Sequence, residues 1–217
     1  MSVSSKEKKI IQDKREQRGL LKASSFVHKE VKELIKNNDP IRIDLIINAH
    51  KILFTEIGSK DASIGGRFRK SNDLELTRID GTPLKVTSYN NIGSEIAILD
   101  EELKVKTKDL KIPSREKEYR KIISLAALLS HRFVSIHPFE NGNGRASRLL
   151  LNAILCRAGL YWLETNASVS QKKEEKTKYL WAMRQADDGD YSVLEKIIGV
   201  GLFETSKKLS KQRMKKQ

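Results

Sequence analysis

Apolar residues recur at helical spacing over most of this chain, and the few prolines and glycines mark where one helix should give way to the next. From Ser24 to Lys36, the side chains of Phe26, Val27, Val31, Leu34 and Ile35 fall on one face. That pattern predicts an amphipathic helix opened by Ser24 or Ser25 and ended by Asn37, Asn38, Asp39 and Pro40. A second helix is predicted from Ile41 to Glu56, with Ile43, Leu45, Ile46, His50, Leu53 and Phe54 on its apolar side and Gly58 as its stop. Ser114 to Phe133 reads as a long helix with a wide apolar face of Tyr119, Ile122, Ile123, Ala126, Leu129 and Phe133, expected to be the central buried element. Gly144 to Arg157 follows as a further helix, with Gly159 as its C-terminal cap, and residues 173–186 and 190–209 predict two more, separated by Asp187, Asp188 and Gly189.

One stretch breaks the helical period. Between Leu74 and Thr87, LELTRI and LKVT carry short strand-type patterns on either side of Asp80 and Gly81, which signals a β-hairpin. Pro83 donates no ladder hydrogen bond, so its strand is expected to keep an exposed edge. Two strands alone are marginal in water and must lean on the helices. The pattern as a whole predicts an all-α fold, a helical bundle with one small hairpin. It reads as one domain with charged ends, a helical extension with a basic start over residues 1–39 and a basic tail over 205–217.

Composition narrows what such a bundle can be. With 217 residues and 38% hydrophobic content the chain can build one core and is not disordered throughout. The 42 Lys and Arg against 28 Asp and Glu leave +14, which favours anionic partners. Residues 1–19 carry six basic and three acidic groups and residues 205–217 carry six basic and none acidic, so the two ends account for +9 and the middle for +5. Both ends read as solvated helix rather than nucleic-acid arms, because the basic clusters hold few aromatic residues and no DNA-reading motif occurs. Nucleic acid is therefore disfavoured as a partner. A single cysteine, Cys156, excludes an internal disulfide and a multi-thiolate zinc site, which fits a reducing, cytoplasmic setting and leaves delivery elsewhere open. The longest apolar stretch, Ile122 to Leu129, is far short of a membrane span, and the N-terminus lacks a signal-peptide core.

The chemistry is concentrated in residues 137–148, HPFENGNGRASR. Gly142, Asn143 and Gly144 stand at the entrance to a helix, where backbone N–H groups lack intrahelical acceptors and the macrodipole is positive. Glycines there let the backbone approach a phosphate closely. Arg145 and Arg148, at i and i+3, project from one side of that first turn and complete a polyphosphate site. His137 has an ordinary pKa near 6.5 and suits a general base, while Pro138 and Phe139 would hold it in place. The Asn143 amide could donate to the transferred group. Glu140 and Asn141 are the oxygen donors within reach of a divalent cation. Each piece alone has an ordinary structural reading; their occurrence within twelve residues points to a site for group transfer.

This segment resembles the signature of the Fic domain family (Fic/Doc), HPFx(D/E)GNGRxxR, matched at His137, Pro138, Phe139, Gly142, Asn143, Gly144, Arg145 and Arg148. Gly66 to Arg69 resembles the GxFR pattern found upstream of the family's hairpin flap, and the likeness spans residues 40 to 204. The resemblance implies a protein adenylyltransferase that moves AMP from ATP onto a Tyr, Thr or Ser hydroxyl of a target protein. It names His137, Asn143 and Arg145 as catalytic and Gly142, Asn143, Gly144, Arg145 and Arg148 as nucleotide-binding. It also makes a target-binding flap of Thr77, Arg78, Ile79, Asp80, Gly81 and Thr82.

The family's acidic Mg²⁺ ligand corresponds to Asn141, so ATP is implied as substrate with weakened Mg²⁺ dependence. The family's inhibitory pattern (S/T)xxxE(G/N) has no convincing copy. Ser170 to Glu174 has the spacing but continues with Glu175, so a separate inhibitory partner supplying a glutamate to Arg148 is expected, or an unrestrained enzyme. Rival readings are a Doc-like phosphotransferase, against which the glycine at 144 argues, use of another nucleotide donor, and a non-catalytic nucleotide-binding protein.

Overall fold

The computed structural model describes residues 5–56, 62–163 and 173–214. Its innermost element is α5 (Asn143–Arg157), which is buried without interruption from Leu149 to Arg157. A helix apolar or buried on all sides belongs to a core rather than a surface. The pattern assigned that place to the preceding helix. In the structure that helix, α4 (Glu116–Ile136), packs along α5 but keeps an outer face on which Tyr119 and Leu128 are exposed.

Around this pair lie α1 (Ser5–Asn37), α2 (Asp44–Thr55), α3 (Ile92–Thr107), α6 (Lys173–Asp187) and α7 (Ser192–Met214). α1 packs on α2 and α5, α3 and α7 on α4, and α6 on α7 and α4. The bundle follows the sequence pattern at α2, α4, α5, α6 and α7 within a few residues, although Gly58 lies outside the described residues.

Two helices differ from the pattern. α3 was absent from it although Ile92, Ile96, Leu99 and Leu103, all buried, repeat at i, i+4, i+7 and i+11. Gly93 and Ser94 at its start and charged residues between the apolar ones mask that period. α1 begins far earlier than Ser24, running unbroken from the charged N-terminal segment to Asn37. Its buried Ala23, Val27 and Val31 dock it on the core. Gly19 allows this close approach, because a Cβ there would stand 2.4 Å from the Leu53 carbonyl oxygen of α2.

The hairpin is a loop held by a single antiparallel bridge, Thr77 with Pro83, flanked by Arg78 N–H to the Thr82 carbonyl and Leu84 N–H to the Leu76 carbonyl, both 2.8 Å. Pro83 sits opposite Thr77 without needing an N–H of its own, because the flanking residues make the bonds. Among the described residues no helix is long and apolar enough to cross a membrane.

Candidate active site

Residues 137–142 leave α4 and enter α5 in a reversal made possible by two left-handed residues. His137 caps α4 at φ 53°, ψ 56°, its N–H returning to the Phe133 carbonyl. Gly142 opens α5 at φ 80°, and a Cβ there would meet Phe54 at 2.7 Å, so only glycine fits. Asn143 braces the interior of the reversal: its Oδ1 accepts from the Phe139 N–H (2.9 Å) and its Nδ2 donates to the Phe139 carbonyl (2.7 Å). The GxFR stretch holds the outside. Phe68 bridges Phe139, the Arg69 N–H donates to the Pro138 carbonyl, and the buried Arg69 guanidinium donates to the carbonyls of His137 (2.8 Å), Ser71 (2.7 Å) and Thr87. Arg69 thereby ties the loop of His137 to the root of the flap.

The loop faces a cavity of about 660 Å³ lined on one side by Asn141, Gly142, Gly144, Arg145, Ser147 and Arg148. That volume is in the range of small-molecule sites. Across it stand Thr77, Arg78, Ile79 and Leu84 of the flap and Tyr179, Leu180, Met183 and Arg184 of α6. The structure therefore brings both arginines, both glycines and part of the flap to one space. Asp80, Gly81 and Thr82 form the flap tip outside that lining, with the Asp80 carboxylate accepting from the Thr82 hydroxyl and N–H.

Two expected contributors stand differently. The Asn143 side chain does not face the cavity, since both ends of its amide are engaged with Phe139. His137 sits two residues beyond the lining residue Ser135, half-buried, with Nδ1 3.2 Å from the Val134 carbonyl. A carbonyl only accepts, so Nδ1 carries the proton and Nε2 keeps its lone pair. Burial, reinforced by the Arg69 charge and opposed by the Val134 bond, holds the His137 pKa below its ordinary value, so the ring is a neutral proton acceptor at physiological pH.

The two arginines are held unequally. Arg148 is pushed down from its ordinary pKa by burial and hydrogen-bonds the Tyr179 hydroxyl, itself raised by burial. Arg145 lies over the Phe54 ring at 5.2 Å and reaches Asn141 Oδ1 at 3.4 Å and the Glu16 carboxylate of α1 at 3.2 Å. Glu16 is a functional candidate that the sequence reading missed. It stands one turn before Gly19, where α1 closes on the core. Its signal was a degenerate form of the inhibitory spacing, Gln12-x-x-x-Glu16-Gln17, with amides in place of the hydroxyl and of Gly or Asn; Gln12 Nε2 lies 3.4 Å from the Glu16 carboxylate. Ser170, which opens the copy weighed above, lies outside the described residues.

A divalent cation finds little protein ligation here. Asn141 Oδ1, a neutral oxygen, already accepts from the Gly142 N–H at 2.6 Å and faces Arg145, while Glu140 is exposed. Among the described residues no group of three or more His, Cys, Asp or Glu could hold a metal. These donors do not fit a protein-held cation.

The flap is fastened to α6. Arg78 Nε donates to Asp187 at 2.7 Å, and Arg184 Nε donates to Asp80 at 2.7 Å and Nη1 to Asp188 at 2.6 Å. The second oxygen of Asp187 accepts from His131 Nε2 of α4 at 3.0 Å, and the Tyr191 hydroxyl lies 3.2 Å from His131 Nδ1. The Thr82 bonds, then Arg184, hold Asp80 well below the usual carboxylate range.

A glycine-lined helix start carrying two arginines, reached from a histidine-capped helix and covered by a bridged loop, places this chain in a known class. Residues 40–155 match the model of the Fic/DOC family, and the chain belongs to that family. A protein adenylyltransferase Fic of Nematostella vectensis is 29% identical over 182 residues, covering 84% of this chain and 36% of that protein. Its counterpart in Drosophila melanogaster is 41% identical over 68 residues, covering 31% of this chain and 13% of that protein. The chain thus spans about a third or less of the curated relatives it matches. Among solved structures, Fic-1 of C. elegans (residues 134–508, E274G) superposes with a TM-score of 0.70 at 21% identity, covering 100% of this chain and 56% of that one. A Fic-domain signaling protein of Bacteroides thetaiotaomicron superposes at 0.61 with 22% identity, covering 85% and 68%. These likenesses show the all-α Fic fold.

Proposed function

We propose that this chain is a protein adenylyltransferase that transfers AMP from ATP to a hydroxyl of a target protein. The observation that carries the reading is the convergence of the Gly142–Arg145 helix start, Arg145 and Arg148 on one cavity, with the lone pair of His137 on the loop that builds it. The target hydroxyl gives its proton to His137 Nε2 as its oxygen attacks the α-phosphorus. The bond from that phosphorus to the bridging oxygen breaks, and pyrophosphate leaves toward the arginines. The helix-start amides of Gly142 and Gly144 would face the α-phosphate. Asn143 would hold the loop in shape rather than donate its amide, and Arg145 and Arg148 would neutralise the outer phosphates. The target segment would lie along the flap of Thr77 to Thr82, whose backbone groups alternate in direction and turn some outward from the Thr77–Pro83 bridge.

Gly144 supports AMP transfer over Doc-like phosphate transfer. Arg148 Nη1, at 3.5 Å, is what a Cβ there would meet, so the space in front of the helix start stays open for a phosphate. Mg²⁺ dependence should be weak, because Asn141 offers one neutral oxygen; Asn141→Asp should steepen the Mg²⁺ dependence of turnover. A separate inhibitory partner would act by presenting a glutamate to Arg148. Glu16 supplies a carboxylate to Arg145 within the chain, so restraint through that arginine needs no second protein. A reducing compartment suits Cys156, whose thiol is buried and pushed up to about 11.

The test is transfer of label in a cell lysate. α-Labelled ATP should mark a protein band and γ-labelled ATP should not, and His137→Ala should lower the labelling by about 10²–10⁴-fold while ATP still binds. Label from the γ-phosphate alone would establish the phosphotransferase, and ATP binding without any transfer would establish the non-catalytic binder.

A further inference from the structure

We propose that His50, which touches neither phosphate nor target, is a positioning residue whose Nε2–H aims the Gly142 amide into the cavity. This rests on the reading of Gly142 as a phosphate donor. His50 is fully buried on α2, and both of its ring nitrogens are spoken for. The Gly66 N–H donates to Nδ1 at 2.9 Å. An amide nitrogen cannot accept, so Nδ1 holds the lone pair, and the neutral ring must carry its proton on Nε2. Nε2 lies 2.9 Å from the Asn141 carbonyl, which can only accept. The tautomer is thus imposed from one side and used on the other. The ring cannot swing away, because Phe139 stacks on it at 3.6 Å between centroids and 11° between planes, and Phe54 packs at 4.6 Å.

The consequence runs through one peptide plane. In the trans peptide joining Asn141 to Gly142, the carbonyl and the N–H point in opposite directions. Drawing the carbonyl inward to His50 turns the Gly142 N–H outward, toward the cavity that Gly142 lines. An oxygen already meets it there: Asn141 Oδ1 accepts from it at 2.6 Å, an acceptor that a phosphate oxygen would replace. His50 stands directly behind this turn, since a Cβ on Gly142 would come within 3.1 Å of its Nε2. The GxFR stretch therefore does more than staple the loop; through Gly66 it selects the tautomer that orients the cradle.

Two substitutions separate orientation from packing. Gln places its amide nitrogen near the position of Nε2 and Asn near that of Nδ1. Both lose the stack on Phe139 and should lower the melting temperature alike. With ATP alone as the probe in calorimetry, His50→Gln should bind within about threefold of the wild type. His50→Asn, which leaves the Asn141 carbonyl without its donor, should bind about tenfold more weakly or worse. Independently, ¹⁵N-resolved NMR of the wild type should show the His50 proton on Nε2. A proton on Nδ1, or equal losses in both variants, would overturn the proposal. A wild type that fails to bind ATP would remove the adenylyltransferase reading, while the NMR tautomer would still decide the strut.

Discussion

The two walls of the cavity are held by different physics. The helix-start wall, residues 137–145, is fixed from behind by buried groups: His50 on the Asn141 carbonyl, Asn143 on both polar atoms of Phe139, and Arg69 on the carbonyls of His137 and Pro138. The flap opposite keeps one backbone bridge and is otherwise tied by ion pairs to α6, with side chains about a fifth exposed. Buried hydrogen bonds between obligatory partners are costly to leave unmade, whereas partly exposed ion pairs contribute little and weaken in salt. Under the proposed function, the wall that would present amides at fixed angles is thus built rigidly, and the wall that would admit a protein segment is built to yield.

That comparison can be broken most severely at Gly142. Gly142→Ala places a methyl on Phe54 and a non-glycine residue at φ 80°, and should destabilise the fold by about 1–3 kcal/mol in chemical denaturation. ATP affinity should fall by about tenfold or more in the same variant, as expected when a donor to a charged ligand is misaimed.

Glu16→Gln should act in the opposite sense. It removes the carboxylate beside Arg145 while leaving α1 its length, and should raise ATP affinity about fivefold in calorimetry. An unchanged affinity would show that the Glu16 contact imposes no restraint.

The rigid wall also predicts a pH response. The His137 pKa is held below its ordinary 6.5, so AMP transfer should rise through a limb lying below pH 6.5 and be flat above it. His50 is driven down to about 4, first by burial, with the Arg145 charge adding and the Asn141 bond opposing. Between pH 6.5 and about 4 the unfolded chain takes up a proton that folded His50 refuses. Its contribution to stability is therefore complete above 6.5 and lost as the pH falls toward 4, measurable as a decline in melting temperature that is shallower in His50→Gln.

The smallest effect belongs to the flap. Asp187→Asn weakens the ties to Arg78 and His131 together and should speed amide hydrogen exchange over residues 76–84 about fivefold, with ATP affinity nearly unchanged. Raising the salt concentration on the wild type should move exchange in the same direction and leave the loop of residues 137–142 protected.

Much of this was legible in the sequence because it is local. The helices α2, α4, α5, α6 and α7 follow from apolar spacing, and the segment from His137 to Arg148 is contiguous, so its glycines, arginines and histidine announce themselves together. Glu16 and His50 did not. One sits in a charged run that reads as solvated helix and the other on an apolar face that reads as core, and each matters through a contact with a residue far along the chain, Arg145 at 129 positions and Asn141 at 91.

What residue order alone determined is the helical bundle and the kind of chemistry available at the start of α5, since periodicity and a helix entrance depend on neighbours within a few residues. The tertiary structure decided which groups are spent and which remain. It turned the Asn143 amide inward to Phe139, brought Glu16 across to Arg145 and set His50 behind Gly142. Such assignments depend on the packing of α1 and α2 against α5, and long-range packing is not written in any local pattern.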